Sequence, residues 1–352
     1  MNSRCSFDCI PRFLFTADKR ALKFWTTVCV SMVLVAHPTC GADTQKKPLT
    51  KAELEDIEEF MKKADALIQR VESSQEAFKV LKEKAEGGDS VAQCSLGKLY
   101  FRGSTEALLA TDLKESRKWF EKSADQGNAR ALAFLGLLYA DPRDKKRDVR
   151  KAVESYRKSA ALGDHWGKCG MGDCSKDGLG VKKDLSEALK WYMESADNGN
   201  WFAQYRVGEF YAKGMSGEKK PNEAANWYKK AADQGHPLAQ TSLALLYVGD
   251  ELGPSDYGAA VRLFLPAAAH GDPGAQVLLG MMFQDGLGVP QDFAEAYKYF
   301  LVSKAHGGGE MAQKSISDLE RKKGVTKETL AEGRIRAKAY GKREFAKYWG
   351  DD

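Results

Sequence analysis

A glycine recurs along this chain at Gly88, Gly127, Gly163, Gly199, Gly235, Gly271 and Gly307. The first interval is 39 residues and each of the next five is 36. A fixed period of this length restricts the chain to stacked units, each burying against its neighbours a face it cannot bury alone. Asp or Asn follows the glycine at Asp89, Asn128, Asp164, Asn200 and Asp272. Glycine permits the left-handed conformation that ends one helix, and Asp or Asn caps the start of another. The unit therefore reads as two helices joined by a tight turn.

The helix after each turn, here the leading helix, repeats three positions spaced four apart, so they share one face. The small position is Ala92, Ala131, Gly167, Ala203, Ala239 and Ala275. The apolar position is Leu96, Leu135, Met171, Val207, Leu243 and Leu279. The aromatic position is Tyr100, Tyr139, Tyr211, Tyr247 and Phe283, with Ser175 in the third unit. Gly97, Gly136, Gly172, Gly208 and Gly280 follow the apolar position. A glycine inside a helix costs about 1 kcal/mol relative to Ala, so these predict a closely approaching neighbour. The trailing helix opens with capping boxes at Asp112-x-x-Glu115, Asp184-x-x-Glu187 and Asp292-x-x-Glu295. It carries paired aromatics, as at Trp119-Phe120, Trp191-Tyr192, Trp227-Tyr228 and Tyr299-Phe300. The third leading helix holds Gly167, Gly170 and Gly172 without the tyrosine, which predicts local weakening or a bend.

The run Ala203, Val207, Gly208, Tyr211 and Gly214, followed by Glu223-Ala224-Ala225-Asn226-Trp227-Tyr228 and on to Gly235, resembles the Sel-1-like repeat, a relative of the tetratricopeptide repeat. The resemblance spans roughly Ser74 to Met311. It implies an all-α fold, a right-handed α–α superhelix of antiparallel helix pairs, used as an adaptor or assembly platform. The expected organisation is a leader and signal over 1–42, capping helices over 50–87, an array of about six units over 88–311, and a C-terminal helix with a basic tail over 312–352.

The flanks support that division. Arg20 and Lys23 precede an apolar run from Phe24 to Ala36, shorter than the ~20 residues of a membrane span. Pro38 and then Cys40-Gly41-Ala42 permit cleavage before Asp43. The expectation is a periplasmic or secreted protein with no stable span after cleavage of the Arg20–Ala42 signal, and a membrane-anchored one if the signal is retained. Thr50-x-x-Glu53 opens a helix with an apolar stripe at Leu54, Ile57, Met61, Ala64, Ile68 and Val71. Residues 76–85 match the trailing helix alone, half a repeat. At the other end Thr326 caps a helix running to about Tyr340, with Leu330 and Ile335 as contacts.

Chemistry is sparse. Net charge is +5, of which 1–42 holds +3, so nothing pulls the array toward nucleic acid. His165, His236, His270 and His306 each lie within two residues of a turn glycine and cannot converge. H-E-x-x-H, G-x-S-x-G, C-x-x-C and the Walker loop are absent, so no catalytic, cofactor or metal residue is assigned. Cys94, Cys169 and Cys174 have no regular spacing and form no disulfide framework. Some exported relatives with a cysteine pair per repeat are linked to β-lactams; this chain lacks those pairs. An exported hydrolase of the β-lactam or cell-wall type, and an envelope-anchored regulatory protein, stay as alternatives to a protein-interaction scaffold.

At 100° per residue, the side of each leading helix opposite the stacking face is the side that lines the concave groove in tetratricopeptide-like arrays. It holds Lys98 and Phe101, Asp173 and Lys176, Tyr205 and Glu209, Leu245 and Val248, and Val277 and Met281. The last four make an apolar half suited to a peptide or a helix face. Cover by the C-terminal helix is the competing expectation for Leu245 and Met281.

Overall fold

The computed structural model describes residues 74–104 and 109–348, with side chains described as far as residue 340. The leader, the 50–71 stripe and residues 349–352 lie outside the described residues. These hold fifteen helices, and no strand beyond an isolated bridge between Ser104 and Leu109.

The chain divides into two compact units, Met1–Asp148 and Val149–Asp352. In the first lie α1 (74–86), α2 (Ser90–Arg102), α3 (Leu113–Asp125) and α4 (Ala129–Ala140). The second holds α5 (Val149–Ala161), α6 (His165–Asp177), α7 (Leu185–Ala196), α8 (Trp201–Lys213), α9 (Pro221–Asp233), α10 (Pro237–Val248), α11 (Tyr257–Ala269), α12 (Pro273–Asp285), α13 (Phe293–Ala305), α14 (Gly309–Glu320) and α15 (Lys327–Tyr348). Within each unit, leading and trailing helices pack in chain order: α2 on α3 and α3 on α4 in the first, and an unbroken succession from α5 to α14 in the second. The fold is an all-α solenoid.

Three devices recur. Each turn glycine has positive φ, 80° at Gly127 and 81° at Gly235. At the first six of these turns the next side chain then accepts a backbone N–H in the first turn of the leading helix, as Asp89 does from Ala92 (2.9 Å) and Asn200 from Ala203 (2.8 Å). The helix glycines seat aromatic rings: a Cβ at Gly208 would lie 2.6 Å from the Tyr228 ring, and one at Gly280 2.5 Å from Phe300. Finally, the N–H of each trailing-helix cap donates to the carbonyl at the leading helix's aromatic position. Asp112 bonds Tyr100, Lys220 bonds Tyr211, Asp256 bonds Tyr247 and Asp292 bonds Phe283, all at 2.8–2.9 Å.

A glutamine stitches the turns sideways. Gln93, Gln204, Gln240 and Gln276 are buried. Each donates to the carbonyl eight residues back, on the preceding trailing helix: Ala85, Ala196, Ala232 and Ala268. The exposed end of the turn adds a second bond, Gln234 to Gln204 at 2.8 Å and His306 with Gln276 at 2.9 Å. Where both ends of the buried amide are paired, as at Gln204 and Gln276, the bonds offset its desolvation cost and fix the register between units.

Two expectations change here. The glycine-rich α6 is an uninterrupted helix of 13 residues. Its Gly167, Gly170 and Gly172 are buried and lie against Ser159, the Tyr156 ring and the Tyr192 ring, so they permit tight packing on both neighbours rather than a bend. The C-terminal helix α15 packs on α13, where Gly333 approaches the Ala294 carbonyl and Arg336 pairs with Asp292 (2.7 Å) and Glu295 (3.1 Å). Leu330 packs on the terminal cluster, but Ile335 faces solvent.

Candidate partner surface

The stacking positions are consumed by the core. Leu96, Val207, Leu279 and the rings of Phe120, Tyr192 and Phe300 are fully enclosed. What distinguishes one leading helix from another is therefore its other side.

In the first unit, Lys98 and Phe101 are half-buried. The Lys98 ammonium sits 5.5 Å from the Phe134 ring centroid. Phe101 packs beside Cys94, Phe120 and Leu135, under the Arg143 guanidinium. Arg143 is held in turn by Asp141 at 2.6 Å.

The second unit brings two predicted residues into one network. Asp173 on α6 accepts the Tyr192 hydroxyl at 2.5 Å and lies 3.9 Å from Arg206 on α8. Arg206 reaches Glu209 at 2.9 Å, and Glu209 also takes Lys213 at 2.5 Å. Burial pushes the Asp173 carboxyl above its ordinary range, against the pull of Tyr192 and Arg206. Burial acts the same way on Glu209, but the bonds from Lys213 and Arg206 prevail and hold it below the usual carboxylate range. Lys176 pairs with its neighbour Asp177 at 2.7 Å and stays outside the network.

An aromatic ribbon adjoins this network. The Tyr205 ring lies 5.8 Å from Tyr228 and 5.1 Å from His236. His236 stacks on Trp201 at 4.6 Å, and Trp201 meets Trp166 edge-on at 5.7 Å. Arg206 lies over Phe202, 4.9 Å from its centroid. Sequence reasoning missed Arg206, Trp166 and Trp201. Their signal is departure from the repeat: the positions matching Arg206 are Ser95, Phe134, Gly170, Ser242 and Leu278.

Further along, Leu245 is 45% exposed and Met281 37% exposed. The C-terminal helix, docked on α13, leaves both open. Val248 is half-buried against the Ala244–Phe264 cluster. Val277 does not line this surface: it is 1% exposed, packed with Tyr297, Phe300 and Ile316 where the last helices close over it.

The histidines serve their own corners. His236 Nδ1 accepts the Ala239 N–H at 3.1 Å, His270 Nδ1 lies 2.7 Å from the Pro266 carbonyl, and His306 meets Gln276. Burial pushes the Cys169 thiol up to about 12 and the Cys174 thiol up to about 11, so both are protonated and unreactive at neutral pH. Among the described residues no three His, Cys, Asp or Glu side chains gather as a metal site, and no helix is long and apolar enough to cross a membrane.

The chain is 28% identical to a Sel1 repeat protein from Oxalobacter formigenes, with a TM-score of 0.53, over 61% of this chain and 85% of that one. It is 24% identical to c5321, a protective antigen of uropathogenic Escherichia coli with an SLR fold, over 78% of this chain and 73% of that one (TM-score 0.40). Identity to the immunity protein Pa5087 of Pseudomonas aeruginosa is 23%, over 62% and 81% (TM-score 0.37). Among curated proteins none matches the chain. The model of the Sel1 repeat matches six times, at residues 90–128, 129–164, 168–200, 201–236, 237–272 and 273–307. With the turns, ring seats and caps repeating in that same register, the chain belongs to the Sel1 repeat family.

Proposed function

We propose that the protein is a non-enzymatic scaffold that holds a protein or peptide partner along the outward side of its leading helices. The observation that carries this reading is the exposure of Leu245 and Met281 one unit apart on α10 and α12, in line with the Asp173–Arg206–Glu209 network. Neither apolar side chain is needed for stacking, and apolar residues at one register of successive leading helices make a continuous strip for an extended or helical segment. The polar groups beside the strip are engaged with one another, Tyr192 with Asp173 and Glu209 with Lys213 and Arg206. That arrangement positions a partner better than it activates a nucleophile.

The test is site-specific photocrosslinking. A photoreactive residue at 245 or 281 is expected to trap a partner that the same residue at Lys229, exposed on trailing helix α9, does not. Met281→Glu should abolish the adduct formed from 245, and Leu245→Glu the adduct formed from 281, without moving the thermal midpoint. Equal trapping at 229, or turnover of a chromogenic β-lactam by the purified chain, would overturn the reading.

A further inference from the structure

The aromatic ribbon of the second unit is more than the repeat asks for. Trp201 opens α8 and is 37% exposed, while Trp166, Phe202, Tyr205 and His236 are half-buried. The register of Trp201 also holds Ser90, Ala129, Pro237 and Pro273. The register shared by Trp166 and Phe202 also holds Val91, Arg130, Leu238 and Gly274. Those units make the same turn and the same helix pair with no ring there, so stacking does not require one. Trp166 meets Trp201 at 5.7 Å and Trp201 meets His236 at 4.6 Å, which carries an apolar step across three successive leading helices. Leu238, 50% exposed, stands next in the Trp166–Phe202 register and one face-repeat before Leu245 on α10. It joins the ribbon to the strip at Leu245 and Met281.

The polar groups around the rings define what can lie on them. Among the described residues, neither the Trp166 nor the Trp201 indole N–H has an acceptor. The two carboxylates of the adjoining network are already engaged, Asp173 by the Tyr192 hydroxyl and Glu209 by Arg206 and Lys213. Arg206, stacked over Phe202, sets a cation beside the rings. His236 spends Nδ1 on the Ala239 N–H. The ribbon therefore presents apolar faces and hydrogen-bond donors, and it disfavours an incoming cation. Its complement is an uncharged chain rich in carbonyl acceptors and poor in donors. A proline-rich segment has that chemistry: proline has no N–H, and its polyproline II backbone leaves every carbonyl unpaired. The backbone is also preformed, so docking costs little ordering entropy. One turn of three residues rises ~9 Å, the scale of the two ring steps at 5.7 and 4.6 Å. A sugar also stacks on aromatic rings, but its hydroxyls need acceptors, and the carboxylates here are taken.

The geometry points to a docking site for a proline-rich segment of a partner protein, seated on Trp166, Trp201 and His236 with its carbonyls accepting from the indole N–H groups. This rests on the reading that the outward side of the leading helices takes a peptide, and it gives that peptide a chemistry. The test titrates the full chain with a decaproline peptide and follows the indole N–H resonances by NMR. Saturable shifts are expected at Trp166 and Trp201, with Trp119, Trp191 and Trp227 unmoved. Trp201→Ala should weaken binding about tenfold or more; its register holds Ala129 in another unit, so the fold tolerates it. Trp201→Phe keeps a ring and loses the donor, and should weaken binding about three- to tenfold. A Gly-Ser peptide of equal length should leave both signals in place. Unmoved indole signals with decaproline would overturn the proposal while leaving partner trapping at 245 and 281 intact. It would also fall if Trp201→Ala bound decaproline as tightly as the parent, or if an N-acetylglucosamine tetramer shifted the same two signals at lower concentration, which would make the ribbon a sugar platform.

Discussion

His236 stands where other units place Asp or Asn, and it caps α10 with a ring nitrogen. Only the neutral imidazole with Nδ1 unprotonated can accept that bond. Protonation would set a cation against the positive end of a helix and beside Arg206. Burial first, and then Arg206, hold its pKa below the ordinary 6.5. The unfolded chain therefore takes up the proton first as pH falls. Stability from this group is complete above about 6.5 and is lost as pH drops from there through the lower folded value. His236→Asn keeps a capping acceptor and should flatten that decline in urea titrations from neutral to mildly acidic pH; an unchanged decline would assign it to other groups. At this scale the sequence is readable where residues repeat and opaque where they do not. Asp173, Tyr205 and Glu209 were identifiable as outward positions from angular spacing alone. Arg206 was not, because its meeting with Asp173 runs between units. Val277 shares the register of Tyr205, but that row borders the next unit, so its exposure depends on what the neighbour puts there. Beside Val277 the neighbour supplies Phe300 and Tyr297.

Helix boundaries follow from caps, and helix contacts follow from what the glycines admit. Gly280 shows which effect wins. Alanine there would gain about 1 kcal/mol of helix propensity. Its Cβ would meet Phe300 at 2.5 Å and the Ala296 carbonyl at 3.2 Å, and overpacking of this kind costs about 1–3 kcal/mol. The ring is 0% exposed and the opposing atom is backbone, so little can give way. Gly280→Ala is expected to destabilise the protein by about 1–2 kcal/mol net, read as a lower urea midpoint at constant m; a neutral or stabilising result would mean that α12 and α13 separate more easily than their contact suggests. The same reasoning explains why counting glycines in α6 pointed the wrong way. Propensity sees three weak residues, while packing sees three places where another helix comes close.

For the molecule as a whole, a stack in which each helix touches mainly its neighbours in sequence behaves as a one-dimensional array. Excising residues 237–272, one full register of the repeat, should leave a folded chain with unchanged helicity per residue. Its urea m-value should fall in proportion to the surface removed; loss of cooperative unfolding would show that this unit is indispensable to the stack. The array was legible because its period is in the sequence. The docking of α15 on α13 was not, since Gly333 and Arg336 belong to no repeat and their partners Ala294 and Asp292 lie some forty residues back. One recurring bond reaches further. The cap of each trailing helix donates to the carbonyl at the aromatic position, twelve residues back at Asp112 and nine back at Lys220, Asp256 and Asp292. The stack thus closes each connector at a fixed point whatever its length. Loop length is decoupled from register, and the connectors over 103–111 and 249–255 are places where new sequence can be grafted without shifting a helix.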